Sequence, residues 1–337
     1  MKLLSVAIPS YNSSAYMRHC IETLMTGGDE VEILIVNDGS TKDNTAEIAD
    51  EYAAKYPGLC VAVHKENGGH GDAVMHGLMN ATGLYFKVVD SDDWVDEAAL
   101  KQVLDFLRAH QDSGLDMLVA NYVYEKEGAA HKHVVRFPGV LPEGRIFTWG
   151  DVKRFKSHQM LTIHSCTFRT EVMRMCGGEL PRKIFYEDNL MVCRTLPYVE
   201  RMFYMDTDLY RYTIGREGQS VQDDISRSRY THHVKIAESC FKSVDLDQLS
   251  CRQHQEYMKH ELYMLFAIAC TFSKLNANAE ADAVLENMWK ACEAHDAKWT
   301  KRFRRMGVLN LAKIPGKAGY ATIAACYKGA NKIVRFN

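Results

Sequence analysis

Three carboxylates fall within four residues at Asp90-Ser91-Asp92-Asp93. Crowded that closely they repel one another unless a cation lies among them, and hard carboxylate oxygens suit Mg²⁺ or Mn²⁺. An ion held there could grip a diphosphate and neutralise charge building on a nucleotide leaving group. An acidic turn on its own is more often a helix cap, with Asp92 or Asp93 capping a helix that begins near Asp96. Two other polar segments share its character, Pro9-Ser10-Tyr11-Asn12 and Asn37-Asp38-Gly39-Ser40-Thr41. A fourth segment, Asn67-Gly68-Gly69-His70-Gly71-Asp72, is Gly-rich and opens a helical stretch, so its backbone N–H groups could approach a phosphate.

These polar segments punctuate a regular alternation. Strand-like runs are expected at Leu3–Pro9, Val31–Asn37, Cys60–His64, Leu84–Val89 and Asp116–Val123, and helices near Ala15–Met25, Asp43–Tyr56, Asp72–Ala81 and Glu97–His110. Buried Val, Ile and Leu strands alternating with amphipathic helices predict an α/β, Rossmann-like parallel sheet covered on both faces. In such sheets ligands bind beyond the carboxyl ends of the strands, and three of the polar segments are those ends. From about Gly128 the alternation fades, and from Ile225 the sequence reads as mostly helical, with apolar residues three and four apart in Tyr257–Phe266. The expected organisation is a nucleotide-binding domain over 1–224 and a helical region over 225–337.

The chain has 337 residues, 47% of them hydrophobic, enough for one large core or two ordinary ones. Its ten cysteines include no Cys-x-x-Cys pair, and no signal-peptide pattern opens the sequence, so a cytoplasmic protein is expected. The formal net charge of −2 conceals an asymmetry, because the segment from Lys298 onward carries Lys and Arg and no Asp or Glu. Trp299, Phe303 and Val308 interleave there with Lys301, Arg302, Arg304 and Arg305, as in a helix lying on an anionic membrane surface. A solvated basic helix packed on an acidic body is the equal alternative.

The segments Val6–Asn12, Ile35–Thr41 and Ala81–Trp94, in this order and spacing, resemble the family 2 glycosyltransferases, which share the GT-A fold. The likeness covers essentially the first 100 residues. It implies that Pro9, Tyr11 and Asn12 border a nucleobase, with Gly39 and Ser40 beside them, and that Asp38 accepts the imide N–H of a uracil. It places Asp90 and Ser91 on the ribose or donor sugar, Asp92 on the metal with Asp93 supporting, and Gly69 against the donor. Many relatives carry an Arg-Asn pair on the following helix, but Val74 and Met75 stand there, leaving His70, Asp72 or Lys87 to substitute.

The resemblance also places the general base in Phe185-Tyr186-Glu187-Asp188-Asn189, with Asp188 as the base and Glu187 on the acceptor side. Read from residues alone, the two acids could equally stabilise the positive end of the helix that follows. Arg211 or Arg216 is expected on the diphosphate, with a surface salt bridge as competitor, and His164 near the acceptor. The absence of a Gln-x-x-Arg-Trp motif points to transfer of single residues. The resulting expectation is an inverting, Mg²⁺- or Mn²⁺-dependent transferase that uses a UDP-sugar and a glycan or lipid-linked surface-polysaccharide precursor at the inner membrane face. No nucleic-acid partner is expected. The rivals are a nucleotidyltransferase and a non-catalytic adaptor on a transferase-like domain.

Overall fold

Runs of Val, Ile and Leu build the centre of the sheet because both of its faces are covered. In the computed structural model, which describes residues 2–126, 132–177, 180–215 and 223–334, every residue of β1 (Leu4–Ser10) and β2 (Val31–Asp38) is buried. Around them run α1 (Met17–Met25), α2 (Thr45–Lys55), β3 (Cys60–Lys65), α3 (His70–Asn80), β4 (Tyr85–Val88), β5 (Trp94–Val95) and α4 (Glu97–Ala109). The sheet continues through β6 (Met117–Lys126), β7 (His133–Val135), β8 (Cys166–Arg169) and β9 (Met202–Ile214), with α5 (Thr170–Arg174) and α6 (Glu187–Thr195) between the last two strands.

The nine strands form one sheet in the order β3-β2-β1-β4-β8-β6-β9-β5, with β7 on β6. The first four are parallel, as expected, whereas β8 runs antiparallel to both β4 and β6. This antiparallel strand closes the open side of β4, and so brings residues 161–169 and 202–214 beside the acidic turn. Periodicity could not predict it, because strand pairing is a long-range choice. A buried carboxylate ties the parallel part together: Glu32 accepts from Ser5 Oγ at 2.5 Å, from Thr82 N at 2.9 Å and from Thr82 Oγ1 at 2.8 Å.

The chain divides into two compact units, Met1–Arg154 with Leu161–Arg216, and Phe155–Met160 with Glu217–Asn337. The division falls slightly before the expected boundary at 224, and six residues from the middle of the chain join the helical unit. That unit contains α7 (Asp223–Ser228), α8 (Tyr230–Ser243), α9 (Arg252–Leu275), α10 (Ala279–His295), α11 (Ala297–Phe303), α12 (Gly307–Leu311) and α13 (Gly316–Val334). Its core is aromatic, with Phe241, Phe266, Trp289 and Phe303 in mutual contact. Asn278 caps α10 and Asp296 caps α11, which fixes where each begins.

The surface-lying amphipathic helix expected near residue 300 needs correction. Trp299 and Phe303 are 3% and 1% exposed, inside the unit's own core, while Lys298 pairs with Asp247 and Arg304 with Glu286. The apolar side of α11 is already used, which matches the alternative of a basic helix packed on acidic neighbours. No helix among the described residues is long and apolar enough to cross a membrane.

Candidate active site

Two loops meet at the ends of β1 and β2. Asn12 adopts a left-handed backbone (φ 49°), and its side-chain oxygen accepts from the amides of Thr41 and Lys42 while its own amide donates to Ser40 Oγ. An asparagine tolerates that conformation better than most residues, and here it clamps the end of β1 to the end of β2. Pro9 is buried in β1, and Tyr11 beside it is 48% exposed, an open aromatic face.

Asp38 is 2% exposed, and both of its carboxylate oxygens are engaged within the chain. They accept from the amides of Gly68 at 2.9 Å and Gly69 at 2.8 Å, and Lys65 Nζ lies 2.5 Å away. The observed work of Asp38 is to pin the glycine turn to the end of β2. Gly39, at φ +65°, passes so close to Asn67 N that a Cβ would lie 2.7 Å from it. Ser91, expected on the donor, bonds Ser13 Oγ at 2.8 Å and ties the acidic turn to β1's loop.

The acidic turn is held from behind by β9. Tyr210 donates to Asp93 Oδ2 at 2.6 Å, the Thr213 amide donates to Asp93 Oδ1 at 2.8 Å, and Thr213 Oγ1 donates to the carbonyl of Asp92. Burial, with Asp90 and Asp92 alongside, pushes the Asp93 carboxyl well above its ordinary range. Asp90 behaves oppositely. Burial disfavours its charge, but His70 and His164 outweigh that and hold it low.

His70 lies at the head of α3 with each ring nitrogen against a carboxylate. Nε2 is 2.7 Å from Asp90 Oδ1, and Nδ1 is 2.8 Å from Glu187 Oε1. Since a carboxylate only accepts, both nitrogens must donate, which describes an imidazolium. Burial opposes that charge, but the two carboxylates raise the His70 pKa well above the ordinary value. Gly71 makes the approach possible, because a Cβ on it would lie 2.4 Å from Glu187 Cγ.

Asp188 follows Glu187 in the first turn of α6, after Tyr186, which occupies the left-handed region at φ 70°. Burial raises the Asp188 pKa and Glu187 adds to the rise, while His164 and His70 act against it. Its carboxyl therefore feels the same histidines as the acidic turn. Glu187 itself is 2% exposed with Oε2 unpartnered among the described residues, so a direct meeting with an acceptor, as expected for it, is not what its burial allows.

His164, expected near the acceptor, faces Asp90 of the acidic turn. Its Nε2 is 3.8 Å from Asp90 Oδ2, and its ring packs among Tyr122, Tyr210 and Tyr212. Asp90, Asp93 and His164 bring one ligand atom each within 4.8 Å of one another. Two carboxylates and an imidazole make a donor set that fits Mn²⁺ well and Mg²⁺ acceptably, and the crowding that raises Asp93 is what a cation would relieve. Asp92, expected to lead the metal set, is not in this group.

Arg211 is held by Asp96 at 2.8 Å and Glu125 at 3.2 Å, the salt-bridge alternative to a diphosphate role. Arg216 lies outside the described residues. Of the three substitutes for the missing Arg, Asp72 pairs with Lys65 and Arg182, and Lys87 Nζ donates to the carbonyls of His164 and Cys166. Only His70 reaches Asp90. Sequence reasoning passed over Tyr210 and Thr213 as ligand supports; a tyrosine alternating with polar residues in a strand was the sole signal.

The model for glycosyl transferase family 2 matches residues 5–176, half of the chain and all three strand-end motifs. The chain belongs to glycosyl transferase family 2. This glycosyltransferase is 30% identical to EpsH of Bacillus subtilis (strain 168) over 229 residues, which span 63% of this chain and 60% of that protein. It is 36% identical to the minor teichoic acid biosynthesis protein GgaB of the same organism over 241 residues, 70% of this chain but 26% of that longer protein. Among solved structures, S. aureus TarS 1-349 in complex with UDP-GlcNAc superposes with a TM-score of 0.70 at 21% identity, covering 98% of this chain and 92% of that one. The shared architecture is the expected GT-A fold with a helical C-terminal region.

Proposed function

We propose that this glycosyltransferase moves a sugar from a UDP-sugar to a hydroxyl of a surface-polymer or lipid-linked precursor, with inversion at the anomeric carbon and with Mg²⁺ or Mn²⁺. The observation that supports this reading is the chain Asp90–His70–Glu187, which joins the end of β4 to the head of α6, where Asp188 follows Glu187 and feels the charges of Asp90, His70 and His164. The UDP-GlcNAc bound by TarS and the teichoic acid assignment of GgaB support the donor and acceptor classes.

In this reading Pro9, Tyr11 and Asn12 border the base, Asp38 shapes that pocket through the Gly68–Gly69 turn, and Asp90 meets the ribose or sugar. Asp90, Asp93 and His164 would hold the ion, with Asp92 at its edge, and a bound ion supplies positive charge to the diphosphate. Asp188 accepts the proton of the acceptor hydroxyl as its oxygen bonds to the anomeric carbon. The bond from that carbon to the diphosphate oxygen breaks, and its electron pair leaves with UDP. A carboxyl raised by burial suits this, since a base near the working pH transfers protons most effectively.

The test is release of UDP from UDP-GlcNAc with Mn²⁺, in water or with acceptor. Asp188→Asn is expected to lower turnover by about 100-fold or more while calorimetric UDP affinity stays within about threefold. Turnover close to wild type would remove Asp188 from the mechanism.

A further inference from the structure

We infer that His70 is the positioning residue of this active site, a bridge that fixes the head of α6, and with it Asp188, against the donor carboxylate Asp90. The inference rests on the proposed transfer reaction. Each half of the bridge is a short hydrogen bond, 2.7 Å to Asp90 and 2.8 Å to Glu187, and the two acceptors come from segments 20 and 117 residues away.

Several independent features show that the chain is built around this bridge. Both ring nitrogens of His70 are taken up by these two carboxylates, so the orientation of the ring is fixed from both sides. Glu187 has no other partner among the described residues: its second oxygen is buried and unbonded, so His70 alone offsets its burial. Gly71 leaves room where any side chain would strike Glu187.

The left-handed Tyr186 and Lys183 add a mechanical reason for the bridge. Two non-glycine residues at φ 70° and 56° precede Asp188, each held in a conformation costing on the order of 1 kcal/mol or more. Lys183 N donates to the carbonyl of Gly68 at 2.7 Å, so the loop entering α6 is docked on the same glycine turn that carries His70. Without the bridge the loop keeps that backbone contact and the Arg182–Asp72 ion pair, but the tie from the first residue of α6 to Asp90 is lost, and with it the hold on Asp188. His70 touches no reacting atom in this account; it acts through Glu187 and Asp90.

The experiment measures UDP release from UDP-GlcNAc with Mn²⁺ by the chain and its His70→Ala, His70→Arg and Glu187→Ala variants, with melting temperatures recorded for each. His70→Ala is expected to lower kcat by about 30-fold with donor KM within about threefold, since positioning of the base is lost and donor contacts are not. Arginine, which can donate to both carboxylates, is expected to recover most of that loss. Glu187→Ala should match His70→Ala, and the double variant should be no slower than either, because one bridge is broken in all three.

His70→Ala within about twofold of wild type, or losses that multiply in the double variant, would overturn the inference. A rise in donor KM at unchanged kcat would overturn it too, by making His70 a donor ligand. If the wild type releases no UDP from UDP-GlcNAc, the donor reading fails, and the melting temperatures still judge the bridge: additive shifts for His70→Ala and Glu187→Ala refute it, and non-additive shifts sustain it.

Discussion

At the scale of single residues, the acidic turn is organised by what lies behind it. Asp93 keeps its place because Tyr210 and Thr213 occupy its two oxygens, and its neighbours Asp90 and Asp92 make its charge unfavourable unless a cation is near. Tyr210→Phe removes one of these donors and leaves a buried oxygen unmet, so a loss of about 1–3 kcal/mol is expected in denaturant unfolding. Asp90→Asn tests the proposed ion site more directly. Calorimetry with UDP and Mn²⁺ is expected to show at least a tenfold weaker complex, and chelation by EDTA should abolish most turnover until Mn²⁺ is restored. Equal affinity for UDP in wild type and Asp90→Asn would exclude Asp90 from the metal and donor site.

At the scale of elements, the informative packing is between the heads of α3 and α6. Gly71→Ala should raise helix propensity by about 1 kcal/mol in α3, yet it drives a methyl group into Glu187. The two effects oppose in stability and not in catalysis. The expected outcome is a melting temperature within a few degrees of wild type, by calorimetric scan, and a fall in turnover of about tenfold or more. A second element-scale case is α11. Trp299→Ala is expected to cost the helical unit about 3–5 kcal/mol because the ring is core and carries a hydrogen bond to Asp247. Full-length protein and a version lacking the exposed charges Lys301, Arg302 and Arg305 should then sediment differently with anionic vesicles only if those charges bind lipid, since the apolar face of α11 is unavailable.

At the scale of the whole molecule, two buried groups in the helical unit contribute to the pH dependence of stability. Burial pushes Glu261 up to about 8, so its folded form binds a proton that the unfolded chain releases near 4.5. Its contribution is therefore fully present below about 4.5 and is lost as pH rises to about 8. Burial pushes His233 down to about 3, so its contribution is present above about 6.5 and is lost as pH falls toward 3. Stability is expected to rise on acidification from pH 8 to about 6.5 and to fall well below 5. Glu261→Gln should flatten the alkaline side and add about 1–3 kcal/mol at pH 8, measured by urea unfolding. An unchanged slope in that variant would assign the dependence elsewhere.

The sequence by itself determined the elements of the parallel half and the three motifs at their ends. Hydrophobic alternation, turn residues and cap residues are properties of neighbours in the chain, and β1 to β4 with their helices lie where that pattern put them. The helical character of the C-terminal region was legible for the same reason. Only the tertiary structure decided that β8 runs antiparallel between β4 and β6, and that Tyr210 and Thr213 grip Asp93. It alone set His164 against Asp90, gave Arg211 to Asp96 and Glu125, and turned Trp299 inward. The bridge by His70 belongs to this second kind: its partners are 20 and 117 residues distant, and no local pattern records which carboxylate a histidine will face. Such pairings are fixed by how strands and helices pack, where the cost of an unpaired buried charge selects the partner after the elements have formed.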